Sequence, residues 1–303
     1  MAEVKNYQEV VDIASKHLGK VGGDGYKDTY APELLVKIPR KLNREGYGLT
    51  GEEFVGVDVW NAYEVSAITT KGQPVAGMLK IVCPSDSEYH VESKSIKLYL
   101  NSYNMTRIGD TAADCITGIE ARVSRDLSEL LETNVTATFF SDKDEAEILE
   151  FEGYTDLGDA VDLDQIDFTA FKSDATQLAV EDSANEPKEI KLKSNLLRSN
   201  CRVTNQPDWG DIFIRIKGNK LPAADSLAKY IVSHRTVSHF HEEICEMVYK
   251  HLLDAYNPDQ LMVACLYTRR GGIDINPIRA THSMYIPDFF TEPEYLINKT
   301  LRQ

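Results

Sequence analysis

Cys201-Arg202-Val203-Thr204-Asn205-Gln206-Pro207-Asp208-Trp209-Gly210-Asp211-Ile212-Phe213-Ile214-Arg215-Ile216-Lys217 is the stretch on which the reading of the fold turns. Apolar and polar residues alternate along its second half, and Gln206–Gly210 carries Pro, Asp and Gly. The stretch therefore predicts two strands, Cys201–Asn205 and Asp211–Lys217, around a turn. Downstream, Ala223–His234 and Phe240–Tyr256 read as helices, and Leu261–Thr268 as a closing strand. The first half has the same order. Phe54–Thr70 and Val75–Pro84 read as strands joined by Lys71-Gly72-Gln73-Pro74. Thr111–Leu131 reads as a helix with Ile116, Ile119, Val123, Leu127 and Leu130 on one face, and Val135–Phe140 as a strand. Two units of strand pair, helix pair and strand predict a tandem α+β protein. Between Ser141 and Lys188 acidic residues dominate and periodicity fades, apart from a short extended segment at Ile166–Phe171. The junction belongs there, with one module at residues 1–185, including the acidic linker, and another at 186–303.

Composition narrows the function classes. The 303 residues carry 48 acidic against 33 basic side chains, a formal net charge of −15. Such a surface repels phosphates, so direct nucleic-acid binding is not expected. No run approaches the roughly 20 apolar residues of a membrane helix, and Met1–Lys20 has a polar, helical pattern without the apolar core of a secretory leader. A cytoplasmic protein with no membrane partner is expected. Five cysteines, Cys83, Cys115, Cys201, Cys245 and Cys265, include no CxxC pair. That argues against a zinc ribbon or a thioredoxin-like motif and for free thiols.

Four segments hold residue types that do chemistry. Cys201 stands at a strand edge between Arg198 and Arg202, and nearby cations favour thiolate over thiol. Asp208 follows seven residues later, making a nucleophile and proton-donor pair possible; a buried cysteine beside an ordinary Asx turn fits the same spacing. His239-Phe240-His241-Glu242-Glu243 opens the strongest helix of the second half. It offers polar recognition of a flat heterocycle through His241 and Glu242, or an HxH metal pair, although HExxH and a third ligand are missing. In Glu92–Asn104, alternation at Ile96-Lys97-Leu98-Tyr99 predicts a strand with lysines on one face. Tyr267-Thr268-Arg269-Arg270-Gly271-Gly272 pairs arginines with glycines, which lets backbone and guanidinium approach a phosphate. No GxGxxG follows a strand, and Gly22-Gly23-Asp24-Gly25 lacks the spacing, so a nicotinamide cofactor would bind without a Rossmann fold.

Together these segments resemble the 7-cyano-7-deazaguanine reductase family, the NADPH-dependent nitrile reductases of queuosine biosynthesis, in its long two-module form. The resemblance runs from about Lys37-Ile38-Pro39-Arg40 to Asn276-Pro277, and the Glu92–Asn104 and Ser199–Gly210 blocks are its most specific parts. It implies tandem tunnelling-fold (T-fold) domains of the GTP cyclohydrolase-like superfamily, assembled as a homodimer. It further implies that Cys201 adds to the nitrile carbon to give a thioimide and that Asp208 protonates the nitrogen. Glu92, Ser93, Lys94, His241 and Glu242 would hold the substrate, 7-cyano-7-deazaguanine; Lys94, Ser95, Arg270 and Gly271 would hold NADPH; no metal is implied. From the residues themselves two other readings remain. One is a zinc-dependent cyclohydrolase activating water, the other a non-catalytic purine-binding module with a structural Cys201.

Overall fold

In the computed structural model, which describes residues 27–182 and 186–303 together with Glu9, Asp12 and Ile13, the long strands at 55–68, 74–84 and 260–267 fall where alternation places them. The strands of the main sheet and of the β1–β4 pair are β1 Lys37–Pro39, β2 Val55–Ile68, β3 Pro74–Pro84, β4 Tyr89–Val91, β5 Thr136–Phe140, β6 Thr155–Asp156, β7 Lys188–Ser194, β8 Arg198–Cys201, β9 Pro207–Gly218, β10 Ser238–His239, β11 Gln260–Tyr267 and β12 Ile273–Ala280. The principal helices are α1 Ser93–Asn101, α2 Ala112–Leu131, α3 Ala224–Ser233 and α4 His241–Tyr256. The helical pattern of Met1–Lys20 and the glycine cluster after it lie almost wholly outside the described residues.

Ten strands form one sheet in the order β10-β8-β9-β11-β12-β2-β3-β5, with β7 on β9 and β6 on β7. Alternation along each strand splits its side chains between two faces. On one face Trp60, Ala62, Leu79 and Ile81 pack beneath α1 and α2, and Ile212, Ile214, Val263 and Cys265 pack beneath α3 and α4. On the other, Val59, Phe213, Met262 and Ala264 are covered by Phe289 and Phe290. The segment after Arg279 is pinned there by Lys80. Its buried ammonium donates to the carbonyls of Phe289 at 3.2 Å, Glu292 at 2.5 Å and Tyr295 at 2.9 Å. The start of α2 is set by a capping box: Thr111 Oγ1 accepts from Asp114 N–H, and the Asp114 carboxylate accepts from Thr111 N–H.

Four expectations are corrected. Ile96–Tyr99 is helix, not strand. Glu92 caps it, its carboxylate accepting from Lys94 N–H at 2.9 Å and Ser95 N–H at 2.7 Å, and the buried side chains Ile96, Tyr99, Leu100 and Tyr103 follow the i, i+3, i+4, i+7 pattern of a helix face. Around Cys201 the strand ends rather than begins. The chain turns through residues 202–206, Asn205 taking φ +54°, so that Asp208 lies in β9 and not in a turn. Leu261–Thr268 does not close the fold. The strand β12 follows it, pairs with β2 from Ile273↔Ala62 to Ala280↔Val55, and carries the hydrogen-bonded sheet from one half of the chain to the other. Ile166–Phe171 forms no strand; Ile166 and Phe168 pack against the second core.

At the seam between the halves sits a buried ionic network. Asp58 on β2 meets Arg40 at 2.6 Å and Arg279 on β12 at 2.8 Å; Glu246 on α4 meets Arg279 at 2.9 Å and Arg44 at 2.7 Å. Burial raises the pKa of Asp58 and Glu246, but the arginines outweigh it and hold both below the carboxylate range. Nearby Glu243 is likewise held down to about 2, the Arg202 guanidinium and His239 overcoming burial. Asp58→Asn takes its close ionic partner from buried Arg40 and leaves Arg279 with Glu246 alone, and is expected to cost about 3–5 kcal/mol, read from urea unfolding at neutral pH. Because these carboxyls have depressed folded-state pKa values, their stabilisation is present above the unfolded value near 4 and is lost on acidification towards about 2. The unfolding midpoint of the unsubstituted protein should fall steeply across that window.

Candidate active site

The same seam opens into a cavity of about 370 Å³ on the helical face of the sheet. Its apolar wall is Trp60 from β2 with Ile273 and Ile275 from β12. The N-termini of α1 and α4 both reach it, bringing Glu92-Ser93-Lys94 from the first half and His241-Glu242 from the second. Helix N-termini present free N–H groups and positive dipole ends, which suit anionic or acceptor-rich ligands. Burial pushes the Glu92 carboxyl up against the lowering effect of the Lys94 and Ser95 N–H groups. Oε1 accepts from Lys94 N–H and, at 3.4 Å, from the Ser93 hydroxyl, whereas Oε2 accepts from Ser95 N–H alone, so a lone pair on Oε2 remains for a ligand.

The β8–β9 hairpin supplies the reactive groups. Its register sets Ser199 opposite Asp208, and period-two alternation then puts Cys201 and Asp208 on one face, as diagonal neighbours. Both line the cavity. Cys201 is half-buried and free, whereas Cys83, Cys115, Cys245 and Cys265 are buried. The arginines flanking Cys201 in sequence do not serve it: Arg198 donates to the Arg235 carbonyl and Arg202 pairs with Glu243 at 2.6 Å. Arg270 provides the neighbouring cation, its guanidinium interacting with Cys201 and with Asp208 and donating to Gln206 Oε1 at 2.7 Å.

Asp208 is held as a carboxylate. Burial pushes its pKa up, but His241, with Nε2 3.4 Å from Oδ2, and Arg270 together hold it below the ordinary value. The His241 ring is fixed by stacking on Tyr267, with centroids 3.8 Å apart and planes within 9°. Glu242 behaves in the opposite way. It is buried with Oε1 unpartnered, and burial followed by the Asp58 charge pushes its carboxyl above the usual range.

Of the residues singled out from sequence, Glu92, Ser93, Lys94, Cys201, Asp208, His241, Glu242, Arg270 and Gly271 all line this cavity. Ser95 does not. It is buried behind the wall, accepting from Val36 N–H and donating to the Glu92 carbonyl. The HxH pair does not act as a metal clamp, since His239 is engaged by Glu243 at 3.1 Å and by the Tyr47 hydroxyl at 3.0 Å. Among the described residues no cluster of three His, Cys, Asp or Glu side chains is placed to hold a metal ion. Lys97, Gln206 and Trp60 were not singled out. Lys97 had a legible cue, because Lys94 and Lys97 share a face at i, i+3 once the segment is helical. Gln206 and Trp60 had none. Gly271, at φ +59°, lies so close to Lys97 that a Cβ there would come within 2.6 Å of its Nζ.

The chain that builds this cavity is similar to known proteins. A family profile described as "Nitrile reductase, 7-cyano-7-deazaguanine-reductase N-term" matches residues 26–139, and one described as "QueF-like protein" matches residues 207–285. The NADPH-dependent 7-cyano-7-deazaguanine reductase of Rickettsia bellii (strain OSU 85-389) is 40% identical over 275 residues, covering 90% of this chain and 95% of its own. That of Hahella chejuensis is 40% identical over 278 residues, covering 90% and 96%. The chain belongs to this family. The Coxiella burnetii (strain Dugway 5J108-111) protein of the same name is 39% identical over 263 residues, 86% of this chain and 90% of its own. An apo crystal structure of an archaeosine synthase QueF-Like overlays 32% of this chain at 16% identity and a TM-score of 0.28, too partial to bear on the fold. In this member of the reductase family, residues from both halves of one chain meet in one cavity. Among the described residues no helix is long and apolar enough to cross a membrane.

Proposed function

We propose that this chain reduces the nitrile of 7-cyano-7-deazaguanine to the aminomethyl group of 7-aminomethyl-7-deazaguanine, through a covalent thioimide on Cys201 and with NADPH as reductant. The observation that carries this is the placing of Cys201 and Asp208 on one face of one hairpin, opening on a cavity lined by Glu92 and Glu242. The shared name of the relatives supports the substrate and the cofactor.

The Cys201 S–H proton passes to the Asp208 carboxylate and from it to the nitrile nitrogen as the sulfur bonds to the nitrile carbon, so the addition needs no outside proton. A carboxylate at Glu92 or Glu242 accepts adjacent ring N–H donors in pairs, and Trp60 with Ile275 gives the flat ring an apolar wall. Lys94, Lys97, Arg270 and the glycine at 271, where an added Cβ would crowd the approach, suit the phosphates of a dinucleotide; Ser95 acts by fixing the α1 N-terminus. NADPH, when bound, supplies hydride to the former nitrile carbon. Loss of the thiolate from the half-reduced carbon regenerates Cys201 before the second reduction. Asp208 must gain a proton to act as the acid. In the addition that proton comes from the Cys201 thiol; in the later reductions Arg270 turning towards a cofactor phosphate would free Asp208, burial would then prevail, and its pKa would rise.

The tandem tunnelling-fold organisation, the 1–185 and 186–303 modules, a homodimer and a cytoplasmic setting belong to the same proposal and rest on the family. Activity is tested by incubating the protein with 7-cyano-7-deazaguanine and NADPH. Two NADPH should be consumed per amine formed; stoichiometric zinc required for a hydrolytic product would point to a cyclohydrolase instead. Gly271→Val is expected to raise the KM for NADPH at least about tenfold by crowding the phosphate approach, with KM for the nitrile little changed.

A further inference from the structure

Glu242 has a neighbour that no step above uses. His90 on β4 is buried, its ring edge-on to Phe240 with centroids 5.1 Å apart, and both ring nitrogens lack a partner. Its Nδ1 lies 3.9 Å from Glu242 Oε1, which is also unpartnered. That is too far for a hydrogen bond and near enough for one to form with a small shift. Glu242 faces the cavity and His90 does not, so a ligand touches the acid and leaves the imidazole behind it. Buried polar atoms without partners are uncommon and costly; here two of them, His90 Nδ1 and Glu242 Oε1, lie across one gap.

The charged surroundings set the protonation states. Arg40 after β1, Asp58 on β2, Cys83 on β3, Glu243 and Glu246 on α4, and Arg279 on β12 surround the pair. Burial and then Asp58 push the Glu242 carboxyl up, whereas burial and then Arg40 push His90 down to about 4. Without ligand the pair is a neutral acid beside a neutral imidazole. An adjacent pair of ring N–H donors is accepted best by an ionised carboxylate, so the Glu242 proton must leave when such an edge docks. The new carboxylate then favours an imidazolium beside it.

We propose that His90 is a positioning residue that takes the proton of Glu242 as the heterocycle binds, so that Glu242 meets the ring as a carboxylate held by an imidazolium. The O–H bond of Glu242 breaks, an N–H bond forms at His90 Nδ1, and no proton leaves the protein. The inference rests on the reading of Glu242 as a ring-binding group.

The test is titration calorimetry at pH 7 with 7-deazaguanine, which keeps the ring edge and lacks the nitrile, in two buffers of different ionisation enthalpy. The unsubstituted protein should exchange no proton. His90→Leu and His90→Gln, each checked for an unchanged unfolding midpoint, should release about one proton per ligand bound. Their affinity should also strengthen with rising pH, up to about tenfold per unit. Equal proton counts in all three proteins, or release of a proton by the unsubstituted one, would overturn the proposal. Glu242→Gln separates the two layers. An affinity loss of at least about tenfold supports ring recognition, whereas unchanged affinity, or no binding of 7-deazaguanine to the unsubstituted protein, removes that recognition and this inference with it.

Discussion

Cys201→Ala should lower kcat by at least about 10⁴-fold, since losing a nucleophile leaves only binding and electrostatics to act on the nitrile. The variant should fold normally. Cys201 is half-buried at a hairpin end, and its backbone bonds, Cys201 N–H to the Gln206 carbonyl at 2.8 Å and Asn205 N–H to the Cys201 carbonyl at 3.0 Å, do not involve the thiol. A change within about 1 kcal/mol in stability is expected, and ring binding should persist because Glu92 and Glu242 are untouched. Steady-state turnover together with binding of the nitrile measures both. Loss of binding in parallel with turnover would make Cys201 structural.

Asp208→Asn should cost about 10²–10⁴-fold in kcat. An amide keeps the shape and can still accept a hydrogen bond from Arg270 or His241, but it cannot deliver a proton to the nitrogen. The charge change also frees Arg270 from its ion pair, so the KM for NADPH should hold steady or fall while kcat collapses. That split separates a proton donor from a group that merely anchors Arg270. The pH profile provides a second readout. Asp208 is ionised in the ligand-free site because His241 and Arg270 overcome burial. In the reduction steps its acid role requires a proton gained once cofactor draws Arg270 away, so kcat should decline as pH rises above the carboxyl's raised, ligand-bound pKa. Asp208→Asn should lose this alkaline limb. A profile unchanged by the substitution would exclude Asp208 as the acid.

Much of this site was legible because its residues sit in short, chemically dense blocks. Alternation in β2, β3 and β9 and the capped, amphipathic α2 were also plain. What escaped did so for identifiable reasons. Glu is not a common N-cap, so Glu92 gave no helix start, and four residues of alternation at Ile96–Tyr99 outweighed a burial pattern that runs from Ile96 to Tyr103. Pro277 inside Ile273–Ala280 argued against a central strand. It is tolerated because the pairing of β11 with β12 covers only Met262–Ala264 and Ile278–Ala280, ending before it. The cation beside Cys201 was read from neighbours in sequence, Arg198 and Arg202, whereas the sheet brings Arg270 from another strand end. His90 lies in a strand of three residues and carries no local cue, since its interest comes entirely from α4 packing against it.

The central claim, a thioimide on Cys201, is tested most directly by intact-mass measurement of the protein mixed with 7-cyano-7-deazaguanine in the absence of NADPH. Addition without a leaving group should raise the mass by that of one whole substrate molecule, and the increase should vanish in Cys201→Ala. No adduct at any pH in folded protein, or an adduct that survives in Cys201→Ala, would contradict it.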